Sequence, residues 1–215
     1  MPPESAPDAV DLAVVLAGGK GRRLGMVDKP SLTLHGRSLL EIALAAVGGA
    51  VTVVVGPART LPPEVIPARE DPPGGGPAAG VVAGLRSLAH TAAGRGSTDD
   101  LLVAVLAADL PGIDPAAVRA LVAAMRRSGA AGAVLTDPGG RDQYLAGVWR
   151  FGKLVAAAAA RPDWHGGRVS ELLGPLIGAR VPADERTTAD ADTPEALVRW
   201  GVRRADERAG EVRTD

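Results

Sequence analysis

Residues 12–25 read LAVVLAGGKGRRLG, a run of five apolar residues followed by a turn rich in glycine and basic residues. An apolar run without alternation is typical of a strand that is covered on both faces, as in a parallel α/β sheet. Glycines let the backbone approach a ligand closely and present its N–H groups, while Lys20, Arg22 and Arg23 supply positive charge. The stretch therefore predicts a strand that leads into a loop for a phosphate chain.

The spacing of these residues excludes two well-known phosphate loops. A Walker A loop needs Gly-Lys followed by Ser or Thr, whereas Lys20 is followed by Gly21. A Rossmann fingerprint needs G-x-G-x-x-G, and Gly19, Gly21 and Gly25 are one residue too widely spaced. The next predicted strand, residues 51–55, ends in Gly-Pro instead of an acidic residue. A dehydrogenase with a distorted Rossmann loop is therefore only a distant alternative.

A longer pattern extends from the loop over residues 16–41. It reads L-A-G-G-x-x-x-R-x-G-x(3)-K-x(2)-L-x-L-x-G-x(2)-L-L-E, with Arg23 and Lys29 at its basic positions. This pattern resembles the opening signature of nucleotidyltransferases of the molybdenum cofactor guanylyltransferase type, within the NTP-transferase superfamily. The resemblance implies a three-layer, Rossmann-like α/β fold with a mostly parallel central sheet and helices on both faces. It also implies Mg²⁺-dependent transfer of GMP from GTP to molybdenum-loaded molybdopterin, with release of pyrophosphate.

Length and composition limit the classes of protein that remain. A chain of 215 residues is long enough for one well-cored α/β domain. We expect a single domain over residues 11–203, a disordered leader over residues 1–10 and a charged, frayed tail over residues 204–215. The formal net charge of −1 argues against a nucleic-acid partner. The chain has no cysteine and no apolar stretch of about 18 residues, so we expect a cytoplasmic protein without a membrane partner.

Apolar runs, caps and turn residues predict the elements that follow. Ser38 and Glu41 form a capping box at the start of a helix, and Asp114 with Pro115 starts another. The pattern predicts strands over residues 12–16, 51–55, 101–108, 131–135 and 142–149, and helices over residues 38–46, from about 78, over 116–127 and 151–161, and after 193. Residues 56–79 are rich in Pro and Gly and predict a long loop, which in a compact domain is usually functional.

The loop ends in a second motif, Gly-Pro-x-Ala-Gly over residues 76–80. It resembles the family segment that contributes to recognition of the base and ribose, which implies roles for Gly76, Ala79 and Gly80. By the same resemblance, Asp71 stands near the sequence position of the carboxylate that, in the family, contacts the guanine edge. A carboxylate can accept from guanine N1–H and N2–H together and so disfavour adenine. Alternatively, Asp71 is an acidic residue in a solvated loop.

Two acidic segments predict the metal site. Asp109 follows an apolar strand, at the end where parallel sheets bind ligands, and resembles the family's metal ligand. The resemblance implies that it holds Mg²⁺ on the triphosphate; the alternative is a cap of the next turn. Residues 189–197, ADADTPEAL, resemble a motif that returns a second metal ligand. Asp190 is the preferred ligand and Asp192 the alternative, since residues i and i+2 of an extended segment point the same way.

The residues that would bind the acceptor substrate are less clearly indicated by this sequence than the phosphate loop and the metal site. Gln143 falls where relatives often carry a residue that faces the acceptor, but Tyr144 replaces the commonest Pro, which leaves the acceptor open. Arg168 resembles an arginine that faces the acceptor, or it has a structural role near a helix start. The alternatives to the guanylyltransferase are CMP or GMP transfer to another small phosphorylated acceptor and a non-catalytic nucleotide-binding relative.

The predicted site thus combines three groups of residues. The catalytic residues are Arg23, Lys29 and Asp109. The nucleotide-binding residues are Leu16, Ala17, Gly18, Gly19, Lys20, Gly21, Lys29, Asp71, Gly76, Ala79, Gly80 and Asp109. The acceptor-binding residues are Gln143 and Arg168, and the metal ligands are Asp109 with Asp190 or Asp192.

Overall fold

The computed structural model describes residues 9–19, 27–92 and 101–203, and all structural statements refer to these residues. The strands are β1 (Leu12–Leu16), β2 (Thr33–Leu34), β3 (Arg37–Ser38), β4 (Val51–Val55), β5 (Ile66–Ala68), β6 (Leu102–Ala107), β7 (Gly132–Thr136), β8 (Asp142–Arg150) and β9 (Ile177–Pro182). The α-helices are α1 (Leu39–Ala46), α2 (Gly76–Ala92), α3 (Pro115–Ser128), α4 (Phe151–Ala159), α5 (Val169–Leu173), α6 (Glu185–Thr188) and α7 (Pro194–Trp200). Short 3₁₀ turns span Lys29–Ser31 and Gly174–Leu176.

A seven-stranded sheet in the order β5-β4-β1-β6-β8-β7-β9 forms the centre of the fold. Strands β5, β4, β1 and β6 are parallel to one another, and β9 is parallel to β7. Only β8 runs antiparallel, to both β6 and β7. The prediction of a mostly parallel sheet is therefore confirmed, and the carboxyl ends of β1, β4 and β6 lie side by side.

Alternation along the strands divides the core into layers on both faces of the sheet. Leu12 and Val14 of β1 pack in the cluster that contains the apolar residues of α2, α4 and α5. Ala13 packs on the other face, with the apolar residues of α3. Because β1 is buried on both faces, its sequence is apolar throughout, as the opening stretch predicted.

Short-range signals predicted the helix starts well. Ser38 and Glu41 form the predicted capping box, with the Glu41 N–H donating to Ser38 Oγ and the Ser38 N–H donating to the Glu41 carboxylate. Asp114 caps α3 by accepting from the Ala117 N–H, and Pro115 is its first residue. Thr193 caps α7 in the same way. These contacts involve residues three apart and are therefore visible in the sequence.

The prediction of a long loop over residues 56–79 is wrong in part. It contains β5, a three-residue strand at the edge of the sheet, and α2 begins at Gly76 instead of near residue 78. Between β7 and the final helix the structure adds α6 and most of β9, which the sequence did not predict. Helix α5 follows Arg168, where the sequence indicated a helix start without bounds. The predicted tail and residues 1–8 of the predicted leader lie outside the described residues. Among the described helices, none is long and apolar enough to cross a membrane.

Helix α2 approaches the sheet closely at Gly84, and this contact gives a test of the packing. A Cβ on Gly84 would lie 2.5 Å from Cγ1 and 2.9 Å from Cγ2 of Val14. We expect Gly84→Ala to lower the free energy of unfolding by about 1–3 kcal/mol, measured by chemical denaturation, because the added methyl group overpacks the interface. Ala89→Gly, at an exposed position of the same helix, is the control and should lose about 1 kcal/mol through helix propensity alone. A Gly84→Ala protein that is more stable than the wild type would contradict this packing.

Candidate functional site

A pocket of about 570 Å³ lies where β1, β4 and β6 end and α2 begins. The Ala108 N–H donates to the Leu16 carbonyl over 2.9 Å, so the segments that leave β1 and β6 stay in contact beyond the sheet. The pocket is lined by Leu16, Gly18, Gly19, Val55, Glu70, Gly74, Gly76, Pro77, Gly80, Ala107, Asp109 and Leu145. The carboxyl end of a parallel sheet is the usual place for a ligand in α/β proteins.

The structure brings many of the predicted nucleotide-binding residues together in this pocket. Leu16, Gly18 and Gly19 line one side, and residues of the second motif line another. Ala17 and Ala79 are not among the lining residues, since Ala17 is buried in an apolar cluster with Val15 and Val54 and Ala79 lies against Gly75. The predicted residues Lys20, Gly21 and Arg23 lie outside the described residues.

The loop that precedes α2 places Glu70 in the pocket and Asp71 outside its lining. Glu70 is partly buried and its Oε1 accepts from the Gly74 N–H over 3.1 Å, whereas Asp71 is exposed. Glu70 was missed by the sequence reasoning, although it is adjacent to the predicted carboxylate. The reason is that the direction of a side chain in an irregular loop cannot be obtained from spacing.

Lys29 lies between two of the predicted metal-binding carboxylates. Its Nζ is 3.2 Å from Asp109 Oδ2, and it also forms an ion pair with Asp192 Oδ1. Partial burial acts to lower the pKa of Lys29, but the hydrogen bonds and charges of Asp192 and Asp109 outweigh burial and raise the pKa. Lys29 is therefore a fully charged ammonium group held at the end of β6.

The segment over residues 190–192 runs directly beside Asp109. The Ala191 N–H donates to the Asp109 carbonyl over 3.0 Å, and the Ala191 side chain is fully buried in a small apolar cluster with Leu32 and Leu39. This anchor places the two flanking carboxylates near Asp109. Partial desolvation, together with the charges of Asp109 and Asp192, raises the pKa of Asp190 to about 6.

This raised pKa predicts a pH-dependent gain in stability for Asp190→Asn. An acid that binds its proton more tightly in the folded protein than at its ordinary value of 3.8 loses stability as the pH rises through about 6. Because the residue as a whole is exposed, solvent screens part of the effect, and we expect a gain of about 1 kcal/mol in metal-free protein at pH 7.5 and almost none at pH 4. Denaturation at both pH values measures it. Asp184→Asn is the control and should gain no stability, since hydrogen bonds from Thr187 lower the pKa of Asp184. An equal gain of Asp190→Asn at both pH values would contradict the argument.

The predicted acceptor residues lie away from the pocket lining. Gln143 is on β8 and its Nε2 donates to Asp137 Oδ2 over 3.3 Å, within the turn that joins β7 to β8. Arg168 is exposed at the start of α5. Their roles toward an acceptor therefore stay predictions.

In the part of the chain that the structure describes, Asp109, Asp190, Asp192 and Lys29 form a group with more negative than positive charge. Among the described residues, no group of three or more His, Cys, Asp or Glu side chains is arranged to hold a metal ion. The donor chemistry nevertheless fits a hard cation, because carboxylate oxygens are its preferred ligands. Desolvation and the nearby charges of Asp109 and Asp192 raise the pKa of Asp190, and a bound cation would offset that repulsion. Lys29 supplies the cationic charge in this arrangement.

Solved structures of nucleotidyltransferases share this fold. Molybdopterin-guanine dinucleotide biosynthesis protein A from Archaeoglobus fulgidus matches with a TM-score of 0.62 and 20% identity, over 87% of this chain and 95% of that chain. The 2-C-methyl-D-erythritol 4-phosphate cytidylyltransferase from Thermus thermophilus matches with a TM-score of 0.59 and 22% identity, over 89% of this chain and 97% of that chain. The fold is therefore that of the nucleotidyltransferases, as the opening pattern predicted.

Sequence comparison narrows the class to a family. Residues 13–175 match the MobA-like NTP transferase domain. The chain is also 42% identical over 203 residues to a molybdenum cofactor guanylyltransferase from Acidiphilium cryptum (strain JF-5), a match that covers 86% of this chain and 93% of that protein. The chain belongs to the MobA-like NTP transferase family, and the resemblance seen in its sequence is confirmed.

Proposed function

We propose that this protein transfers GMP from GTP to molybdenum-loaded molybdopterin and releases pyrophosphate. One observation carries the proposal: in a chain of this family, Gly18, Gly19 and Asp109 line one pocket, and Asp109 is paired with Lys29, which also contacts Asp192. The pocket lining offers backbone N–H groups for phosphates and the Asp109 carboxylate for a metal ion. Lys29 and Asp192, which contact one another beside Asp109, add a cation and a second carboxylate next to the pocket. The relative from Acidiphilium cryptum is named for guanylyl transfer to the molybdenum cofactor, which supports the choice of GTP and molybdopterin.

In this proposal the chain positions the reactants and balances their charge. Backbone N–H groups around Gly18 and Gly19 bind the triphosphate, and Lys29 neutralises negative charge that accumulates as pyrophosphate departs. An oxygen of the acceptor's phosphate forms a bond to the α-phosphorus, and the bond from that phosphorus to the bridging oxygen of pyrophosphate breaks. No protein nucleophile is required, since phosphoryl transfer depends mainly on positioning and electrostatics.

Nucleotidyltransferases of this family generally use a divalent metal ion. We propose Mg²⁺ here, held by Asp109 with Asp190 or Asp192. When bound, the ion would supply positive charge to the phosphate oxygens. The chain's own contribution is the set of carboxylates, which the Ala191–Asp109 backbone hydrogen bond holds at the end of β6.

The experiment that tests the function is a pyrophosphate-release assay with purified molybdenum-loaded molybdopterin. We expect release with GTP and Mg²⁺, and formation of the guanine dinucleotide as detected by mass spectrometry. Release with CTP instead of GTP would favour the cytidylyl alternative. Release only with another phosphorylated acceptor would mean that molybdopterin is not the acceptor substrate. Nucleotide binding without release in every combination would indicate a non-catalytic relative and overturn the proposal.

Glu70 is our proposed contact for the guanine edge, with Asp71 as the alternative that the sequence predicted. We expect Glu70→Gln to raise the KM for GTP roughly tenfold and to reduce the preference for GTP over ITP, which lacks the N2 amino group, because a bidentate charge-assisted contact is lost. Steady-state kinetics with both nucleotides measure this. Asp71→Asn is the matched variant; if Asp71→Asn reduces the preference and Glu70→Gln does not, the base contact belongs to Asp71.

A further inference from the structure

The segment that follows β4 is bound to the first residue of the glycine-rich loop. The Ala17 N–H donates to the Val55 carbonyl over 2.8 Å, and Arg59 Nη2 donates to the Ala17 carbonyl over 2.7 Å. Both polar backbone groups of Ala17 are therefore satisfied, the N–H by the last residue of β4 and the carbonyl by the segment that follows it. A Cβ on Gly56 would lie 2.6 Å from the Ala17 oxygen, so the close approach requires glycine there.

The same guanidinium group binds Asp28, on the other side of the glycine-rich stretch. Arg59 Nη2 lies 3.3 Å from Asp28 Oδ1, and Nη1 lies 3.4 Å from Oδ2. The Asp28 carbonyl accepts from the N–H and the hydroxyl of Ser31, which closes the turn that begins at Lys29. The Arg59 side chain is only 13% exposed, whereas the Asp28 side chain is 55% exposed, so solvent screens the ion pair more than it weakens the hydrogen bond to the Ala17 carbonyl.

These contacts fix two groups that face the proposed phosphate subsite. A peptide unit is planar and trans, so the Ala17 carbonyl and the Gly18 N–H point in opposite directions, and a bond to the first determines the direction of the second. Gly18 lines the pocket. The bond to Asp28 likewise holds the turn from which Lys29 reaches Asp109.

We propose that Arg59 is a positioning residue that preorganises the phosphate subsite by holding Ala17 and Asp28 at the same time. The inference rests on the proposed nucleotide-binding function and identifies a residue that the sequence did not single out. Arg59 acts through Gly18 and Lys29 and does not itself touch the substrate. A guanidinium group suits this role because its planar fork can bind a carbonyl and a carboxylate together, whereas a lysine ammonium cannot reproduce that geometry.

Arg59→Lys tests the proposal because it keeps the charge and removes the fork. We expect isothermal titration calorimetry in the presence of Mg²⁺ to show roughly ten- to a hundredfold weaker binding of GTP. Inorganic tripolyphosphate should lose affinity by the same factor, because Arg59 acts on the phosphate subsite and not on the base. The matched control is Arg150→Lys, which removes another guanidinium-to-carbonyl contact, from Arg150 Nε to the Ala130 oxygen at 3.2 Å, away from the pocket. Arg150→Lys should bind both ligands like the wild type.

A second variant and the wild type distinguish a failure of the Arg59 inference from a failure of the proposed function. Asp28→Asn should weaken both ligands in the same direction, and it tests the proposal if Arg59→Lys does not fold. A folded Arg59→Lys protein that has lost thermal stability but keeps wild-type affinity would make Arg59 purely structural and overturn this inference alone. A wild-type protein that binds neither GTP nor tripolyphosphate would overturn the proposed function, and this inference with it.

Discussion

Asp109→Asn is expected to lower kcat roughly 100- to 1,000-fold while the protein remains folded. The substitution removes the carboxylate charge that pairs with Lys29 and that we propose to hold the metal ion. The backbone contact with Ala191 uses the Asp109 carbonyl and is unaffected by the change. Loss of the charge relieves repulsion with Asp190 but also removes the ion pair with Lys29, so we expect the free energy of unfolding to change little. Steady-state pyrophosphate release and chemical denaturation measure the two effects.

Asp114→Asn provides a matched control for this loss of charge. Asp114 is five residues further along the chain and caps α3, a role that asparagine performs about equally well. We expect its activity and stability to stay within error of the wild type. If Asp109→Asn keeps more than a third of wild-type turnover, Asp109 has no part in catalysis and the proposed metal site must be sought elsewhere.

The elements that sequence predicted best are those determined by their own residues. The apolar runs of β1 and β4 have the predicted bounds because burial on both faces requires apolar side chains at every position. The helix starts at Ser38, Asp114 and Thr193 depend on hydrogen bonds between residues three apart. Such signals are local and do not need knowledge of the rest of the fold.

The elements that sequence missed depend on distant partners. Strand β5 has three residues, one of them a proline, and exists because it pairs with the buried strand β4. Helices α5 and α6 have five and four residues, too few for a helical periodicity to be recognised, and only the start of α5 near Arg168 was indicated. No periodicity in these segments could have separated them from turns.

The site shows the same division between residue type and residue position. The candidate phosphate loop, Asp109 and the later aspartates could be predicted because a run of specific residues carries each of them. Lys29 contacts Asp109 and Asp192, which lie 80 and 163 positions further along the chain. Arg59 contacts Ala17, which lies 42 positions before it. None of these contacts leaves a pattern in a single sequence, since each arises only when the strands have assembled.

Lys29→Ala is expected to change turnover and metal affinity in opposite directions. Loss of the ammonium group should lower kcat/KM at least roughly a hundredfold, because charge on the phosphates is no longer neutralised. In the absence of nucleotide, however, the variant should bind Mn²⁺ roughly tenfold more tightly than the wild type, since a positive charge has been removed from between Asp109 and Asp192. Pyrophosphate release and electron paramagnetic resonance titration with Mn²⁺ measure the two quantities.

Two substitutions distinguish the charge of Lys29 from its side-chain packing. Lys29→Arg keeps a cation beside the carboxylates and should not bind Mn²⁺ more tightly than the wild type. Lys153→Ala removes an exposed lysine on α4 and should change neither quantity. Wild-type turnover in a folded Lys29→Ala protein would remove Lys29 from catalysis. Unchanged Mn²⁺ affinity would mean that Asp109, Asp190 and Asp192 do not form the cation site, because a divalent ion bound among them must respond to the charge at their centre.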